Sequence, residues 1–173
     1  MKLYIMRHGE ASAVAGASDA DRRLTVAGED EVDCQANVLR KALTSDATGS
    51  STQTESLTEL DCCYVSPLIR AQQTANIVLQ SVPTSARVND ADVTPDSNAD
   101  LFAEWLLIDL AARGAKTALV VSHMPFVSYL VRSLDSAQEP PIFSTAAIAE
   151  IELDVSTGRG RLLQMHSAAH CFS

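Results

Sequence analysis

No stretch of the sequence comes near the roughly 20 consecutive apolar residues that a membrane-spanning helix needs. Aromatic side chains make up only 5% of the chain, and basic ones are few: 13 Lys and Arg stand against 22 Asp and Glu, a net charge of −9. A chain that acidic repels polyphosphate backbones and anionic lipid surfaces, so neither nucleic acid nor membrane is an expected partner. The four cysteines, Cys34, Cys62, Cys63 and Cys171, form no CxxC pair and no spacing suited to a zinc knuckle. The opening Met1-Lys2-Leu3-Tyr4-Ile5-Met6-Arg7 is too short and too early charged for a secretory leader. All four thiols are therefore expected to be free, in a cytoplasmic and reducing setting.

What is present is an ordinary globular composition. Hydrophobic residues are 46% of 173 positions, enough for one core and, on length, one domain over residues 1–173. Short apolar runs alternate with amphipathic stretches. Leu3 to Met6 predicts a strand, Thr25 to Leu43 a helix with Thr25 as N-cap and Val26, Val32, Leu39 and Leu43 near one face. Residues Thr44 to Glu59, rich in Ser, Thr, Gly and Asp, read as a surface connection. Cys62 to Val65 predicts a second strand whose two neighbouring cysteines point to opposite faces. A helix over Leu68 to Leu79 follows, with Pro67 at its first position.

Arg87-Val88 is a weak strand and Asp90 to Asn98 an acidic loop. Ala99 to Arg113 predicts a helix with Leu101, Trp105, Ile108 and Ala112 on its apolar stripe and Gly114 as its stop. Thr117 to Val121 is the strongest strand, Phe126 to Leu134 another helix, and Ala147 to Leu153 with Arg161 to Met165 a closing hairpin. The tail from His166 to Ser173 has no pattern, and His166 and His170 read as solvated. Strands alternating with helices imply an α/β three-layer sandwich. Its central sheet would be mostly parallel, with helices on both faces and antiparallel edge strands from the hairpin.

Open α/β sheets bind ligands beyond the carboxyl ends of their strands. Those ends carry Arg7-His8-Gly9-Glu10, Ser66-Pro67-Leu68-Ile69-Arg70 and Ser122-His123-Met124-Pro125. Cations gathered on an acidic protein repel one another unless an anion joins them, and Arg forks match phosphate oxygens. The pattern thus predicts a phosphate pocket first and a catalytic site second. A histidine ringed by guanidinium groups stays neutral, and its free nitrogen can attack phosphorus. His8 is the candidate nucleophile, and His123 a candidate donor to the phosphoryl oxygens. A lone His after a strand is more often a loop or cap residue; placement of His8, Arg70 and His123 at three strand ends reverses that reading. Arg7 and Arg70 would repel a cation and no carboxylate cluster joins them, so no metal and no cofactor are expected.

These three segments, with Ala71-Gln72-Gln73-Thr74-Ala75 after Arg70, resemble the histidine phosphatase superfamily, which has the phosphoglycerate mutase-like fold. The start Ile5 to Ala11 and Arg22-Arg23-Leu24-Thr25 resemble its short bacterial phosphohistidine phosphatases. The resemblance implies a phosphohistidine intermediate on His8, with Arg7, Arg70 and His123 completing the pocket. It implies a further pocket Arg just before Leu-Thr; Arg22 is taken, with Arg23 the neighbouring alternative. Larger members carry a carboxylic acid between the second and third segments. Asp92 stands near that place, but reads more simply as a solvated loop carboxylate. A phosphohistidine substrate makes such an acid dispensable, because imidazole, with a pKa of about 6.5, leaves readily. The expected partner is a phosphorylated histidine-containing protein, a phosphotransfer domain or a phosphocarrier. A small-molecule phosphomonoesterase and a phosphate-binding module without turnover are the alternatives.

Overall fold

The computed structural model describes residues 1–12, 18–47 and 59–171. Among these described residues six strands form one sheet: β1 (Lys2–Arg7), β2 (Cys62–Val65), β3 (Arg87–Asn89), β4 (Thr117–Ser122), β5 (Ile148–Asp154) and β6 (Arg159–His166). Their order across the sheet is β3-β2-β4-β1-β5-β6. The first four run parallel, while β5 pairs antiparallel with β1 and β6 antiparallel with β5. Among the described residues four α-helices cover it: α1 (Val26–Ala47), α2 (Ile69–Ser81), α3 (Ala99–Arg113) and α4 (Phe126–Leu134).

The side-chain period of two assigns the faces. Leu3 and Ile5 pack with α3 and α4, whereas Tyr4 and Met6 pack with α1 and α2. Cys62 and Cys63 divide between the same two cores, both buried and free. Cys34, on α1, is disulfide-bonded, contrary to the expectation of a free thiol. The C-terminal turn Ala168–Cys171 packs against α1, a proximity that no local pattern announces. Among the described residues no helix is long and apolar enough to cross a membrane.

Several elements depart from the expected bounds or faces. Thr25 does cap α1, its Oγ1 accepting the Gly28 amide at 3.0 Å, but Val26 in the first turn is 77% exposed. The helix runs on through Ala47, four residues into the expected connection; residues 48–58 of that connection lie outside the described residues. Pro67 precedes the cap residue Leu68 and does not open α2. His166 ends β6, where its Nε2 meets Glu150 Oε2 at 3.2 Å, so it is not a solvated tail residue. The side chain of His170 lies outside the described residues.

The largest correction concerns α3. Its ends are as expected, with Gly114 at φ +61° closing it, but Ala99, Phe102, Ala103, Leu106 and Leu110 are the residues turned to the core. Leu101, Trp105 and Ile108 are 63%, 41% and 70% exposed. Two apolar stripes satisfy the helical period on this segment, and packing chose between them. Phe102 fits edge-on between Tyr64 and Phe126, with ring centroids at 6.3 and 5.6 Å.

Candidate active site

Register brings the strand ends together. Arg7 lies opposite Ser122 and Val65 opposite Val121. The ladder continues one residue further, through His8 N–H to Ser122 O at 3.0 Å and Ser66 N–H to Val121 O at 3.1 Å. Because β4 lies between β1 and β2, His8, His123 and Ser66 follow side by side. The two imidazole rings have centroids 5.0 Å apart.

The turn after His8 needs its glycine. A Cβ on Gly9 would stand 2.5 Å from the Gly28 carbonyl oxygen, and one on Gly28 only 2.1 Å from Glu10 O. Backbone meets backbone here, which seats the turn against the start of α1. Thr74 on α2 accepts the Gly9 amide at 3.2 Å and donates back to Arg70 O at 2.8 Å. One hydroxyl therefore links the His8 turn to the helix turn that carries Arg70.

His8 is buried, and its Nδ1 is 2.7 Å from the carbonyl of its neighbour Gly9. A carbonyl only accepts, so Nδ1 carries the proton and Nε2 holds the lone pair. Nε2 receives Arg70 Nε–H at 3.2 Å. Burial pulls the His8 pKa down to about 4; Arg70, Arg7 and Arg22 push the same way and the Gly9 carbonyl opposes them. His123 is brought to about 3, again by burial first and then by His8 and Arg70. Both rings are neutral near pH 7.

The guanidinium groups close round them. Arg7 donates from Nη1 to Phe143 O at 2.7 Å, and its buried Nε has no partner among the described residues. Burial lowers its pKa, with Glu31 opposing. Arg70, only 3% exposed, donates from Nη1 to Asp19 O at 2.6 Å and from Nη2 to Asp19 Oδ2 at 2.8 Å. Arg22 reaches the other oxygen of the same carboxylate at 3.2 Å and the carbonyls of Ser12 and Ala11 at 3.0 and 3.1 Å. Its loop is pinned by Ser12 N–H to Arg23 O at 2.9 Å and by Leu24 N–H to Gln73 Oε1 at 2.9 Å.

All five predicted residues, Arg7, His8, Arg22, Arg70 and His123, thus meet at one rim, while Arg23 is exposed beside it. Asp92 does not join them. It is an exposed residue of the 3-10 turn Ala91–Val93, lining a cleft of about 200 Å³ with Asn98, Leu101, Phe102 and Trp105. Asp19 is the group that sequence reasoning missed. It stands three residues before Arg22, a helical-turn spacing that could have paired them, but its contact with Arg70 spans 51 residues. The Arg70 hydrogen bond holds its carboxyl below the usual range, so Asp19 is an anion locked to two cations.

Neutral imidazoles beside guanidinium groups, at the carboxyl edge of a parallel sheet, define an oxyanion site on an α/β scaffold of the phosphoryl-handling kind. Residues 3–91 match the family model of the histidine phosphatase superfamily, branch 1. The chain is 38% identical over 158 residues to the phosphohistidine phosphatase SixA of Escherichia coli K12, covering 90% of this chain and 88% of that one. It is 33% identical to a SixA homolog of Haemophilus influenzae, covering 98% and 96%. A solved structure of the protein histidine phosphatase SixA complexed with tungstate matches with a TM-score of 0.83 at 34% identity over 99% of both chains. The chain belongs to the histidine phosphatase superfamily.

Proposed function

We propose that this chain is a phosphatase that removes the phosphoryl group from phosphohistidine on another protein, carrying it transiently on His8. The observation that carries the reading is the state of the His8 ring: Nδ1–H is tied to the Gly9 carbonyl, and Nε2 faces Arg70 with its lone pair unprotonated. In the first step Nε2 attacks phosphorus in line and the P–N bond of the substrate breaks; the substrate ring, protonated at its other nitrogen, leaves as neutral imidazole, and His8 keeps its own proton on Nδ1. In the second, water attacks phospho-His8, releasing inorganic phosphate and restoring the neutral ring. Arg7, Arg22 and Arg70 neutralise the oxygens throughout, and His123 donates to one of them.

Leaving-group chemistry supports the substrate class. An alkoxide wants a general acid, whereas a phosphohistidine ring, with a free nitrogen of pKa about 6.5 that takes up its proton before the step, departs as neutral imidazole without one. The carboxylate that touches this cluster, Asp19, is ionised and held by two arginines, which unfits it as a proton donor. Both relatives bear the name phosphohistidine phosphatase, and the reading agrees with those names.

Incubation with a radiolabelled phosphohistidine domain tests the proposal. Wild type is expected to release phosphate and, on acid-free rapid quench, to carry label on His8. His8→Ala is expected to lose at least about 10³-fold in rate, as removal of a covalent nucleophile does. A small phosphoester hydrolysed far faster than the phosphoprotein would overturn the substrate class. Undiminished turnover by His8→Ala would overturn the mechanism.

A further inference from the structure

The hydroxyl of Ser66 lies 2.7 Å from His123 Nε2, and the other ring nitrogen, Nδ1, is buried with no partner among the described residues. We propose that Ser66 is a positioning residue: its hydroxyl donates to Nε2 and so fixes the proton of His123 on Nδ1, where it is the donor to the phosphoryl group. The inference rests on the phosphoryl-transfer reading of the site, which assigns His123 a donor role without saying which nitrogen serves.

Hydrogen-bond accounting separates the two tautomers. Ser66 is fully buried, and among the described residues its Oγ has two hydrogen-bond neighbours, His123 Nε2 and the amide of Leu68, which donates to it at 3.4 Å. If the ring proton sat on Nε2, Oγ would accept from both neighbours. Its own proton would then have no acceptor, and Nδ1 would present a bare lone pair toward an incoming oxyanion. With the proton on Nδ1, Oγ accepts from Leu68, donates to Nε2, and leaves one group unsatisfied. That group is an N–H, which a phosphoryl oxygen satisfies. The first arrangement strands two buried polar groups and repels the ligand; the second strands one and attracts it.

Placement favours the same assignment. Ser66 follows β2, on the far side of β4 from His8, and its backbone is doubly held. Its amide donates to Val121 O at 3.1 Å, and its carbonyl accepts Gln72 Nε2–H at 2.6 Å. The His123 carbonyl accepts the Val127 amide at 3.0 Å, anchoring the histidine to the start of α4. With Nε2 turned to a fixed hydroxyl, rotation of the ring is blocked, and Nδ1 is the atom left for an oxyanion at His8, whose ring centroid is 5.0 Å away. No proton changes hands: Nδ1–H is a hydrogen-bond donor in the transition state and remains on the ring.

Long-range ¹H–¹⁵N correlation spectra of ¹⁵N-histidine-labelled protein test this directly on the free enzyme. His123 is expected as a single neutral Nδ1–H tautomer in wild type, and as a mixture with Nε2–H in Ser66→Ala. That variant is expected to lose about tenfold in kcat with KM little changed, as loss of an orienting partner does. Ser66→Thr, which keeps the hydroxyl, is expected to restore the wild-type tautomer and most of kcat. An Nε2–H signal for His123 in wild type overturns the proposal whether or not any variant folds. So does an unmixed Nδ1–H tautomer in a folded Ser66→Ala. Because the spectrum needs no substrate, failure to hydrolyse phosphohistidine would sink the functional reading and leave this one to stand or fall separately.

Discussion

The two ends of one parallel sheet are chemically opposite. At the carboxyl ends of β1, β2 and β4, His8, Ser66, Arg70 and His123 are all buried, and two nitrogens, Arg7 Nε and His123 Nδ1, have no partner among the described residues. At the amino ends charged groups pair with one another or with backbone amides, some largely buried and some exposed. Lys2 Nζ meets Glu150 Oε1 at 2.6 Å, Arg161 Nη2 meets Glu152 Oε2 at 2.9 Å, and Asp61 Oδ2 takes the amides of Lys116 and Thr117 at 2.7 and 2.9 Å. The amino end also holds a cleft of about 670 Å³, lined by Met1, Lys116, Asp154, Arg159 and Arg161 among others. Room is therefore not what marks the functional end. Burial of polar groups that the protein itself does not satisfy marks it, because only those have bonding capacity to give a ligand.

Arg70 is where that contrast is easiest to break. It touches the His8 lone pair and the Asp19 carboxylate at once, with 3% of its surface exposed. Arg70→Ala is expected to lower kcat/KM by about 10²–10³-fold, the range for loss of one preorganised oxyanion donor. Tungstate or phosphate affinity, measured by calorimetry, should fall with it. A variant within tenfold of wild type in both would mean that the carboxyl end holds its anion by other groups.

The titration of the two histidines sharpens the comparison next. Their pKa values are about 4 and 3 when folded, against about 6.5 in an unfolded chain. Below pH 6.5 the unfolded chain binds protons that the folded one refuses, so stability is full above 6.5 and is lost as pH falls toward 4 and then 3. For His8 alone the full effect is roughly 3 kcal/mol, at about 1.4 kcal/mol for each tenfold loss of proton affinity on folding. Urea midpoints should therefore drop between pH 7 and 4.5, and His8→Gln should shed its share of that slope. On the activity side, a His8 that is neutral above about 4 predicts an enzyme-side kcat/KM that is flat from pH 8 to about 5. An inflection near 6.5 assigned to His8 would show that the ring is not held neutral by its surroundings.

The same contrast explains what a reader of the sequence can and cannot find. His8 and His123 are legible because each directly follows an apolar strand run, and Arg70 because it opens the helix just after the Cys62–Val65 run; strand ends of parallel sheets are where ligands bind. α4 is legible because Pro125 precedes it and its apolar residues fall on one face. The core side of α3 is not, since Phe102 and Trp105 head two stripes of equal period, and only the rings of Tyr64 and Phe126 decide between them. Asp19 is not, because its partner Arg70 is brought near by the sheet and not by any periodicity. The disulfide at Cys34 is likewise not announced by any CxxC pair or local spacing. Local order is written locally; contacts between remote segments are settled only when the layers close.

The amino end supplies the smallest expected effect and the control for all the others. Arg161 and Glu152 are 71% and 57% exposed at their side chains, so water screens the pair and each member costs little to lose. Arg161→Ala is expected to change stability by less than about 1 kcal/mol and to leave phosphohistidine hydrolysis within twofold of wild type. Combining it with Lys116→Ala, which strips a second cation from the larger cleft, should add nothing to that, because neither side chain reaches the rim that holds His8. If the double variant instead lost hydrolysis in step with Arg70→Ala while its melting temperature held, the protein substrate would have to span both ends of the sheet. The asymmetry between them would then belong to the phosphoryl group alone and not to recognition of the partner.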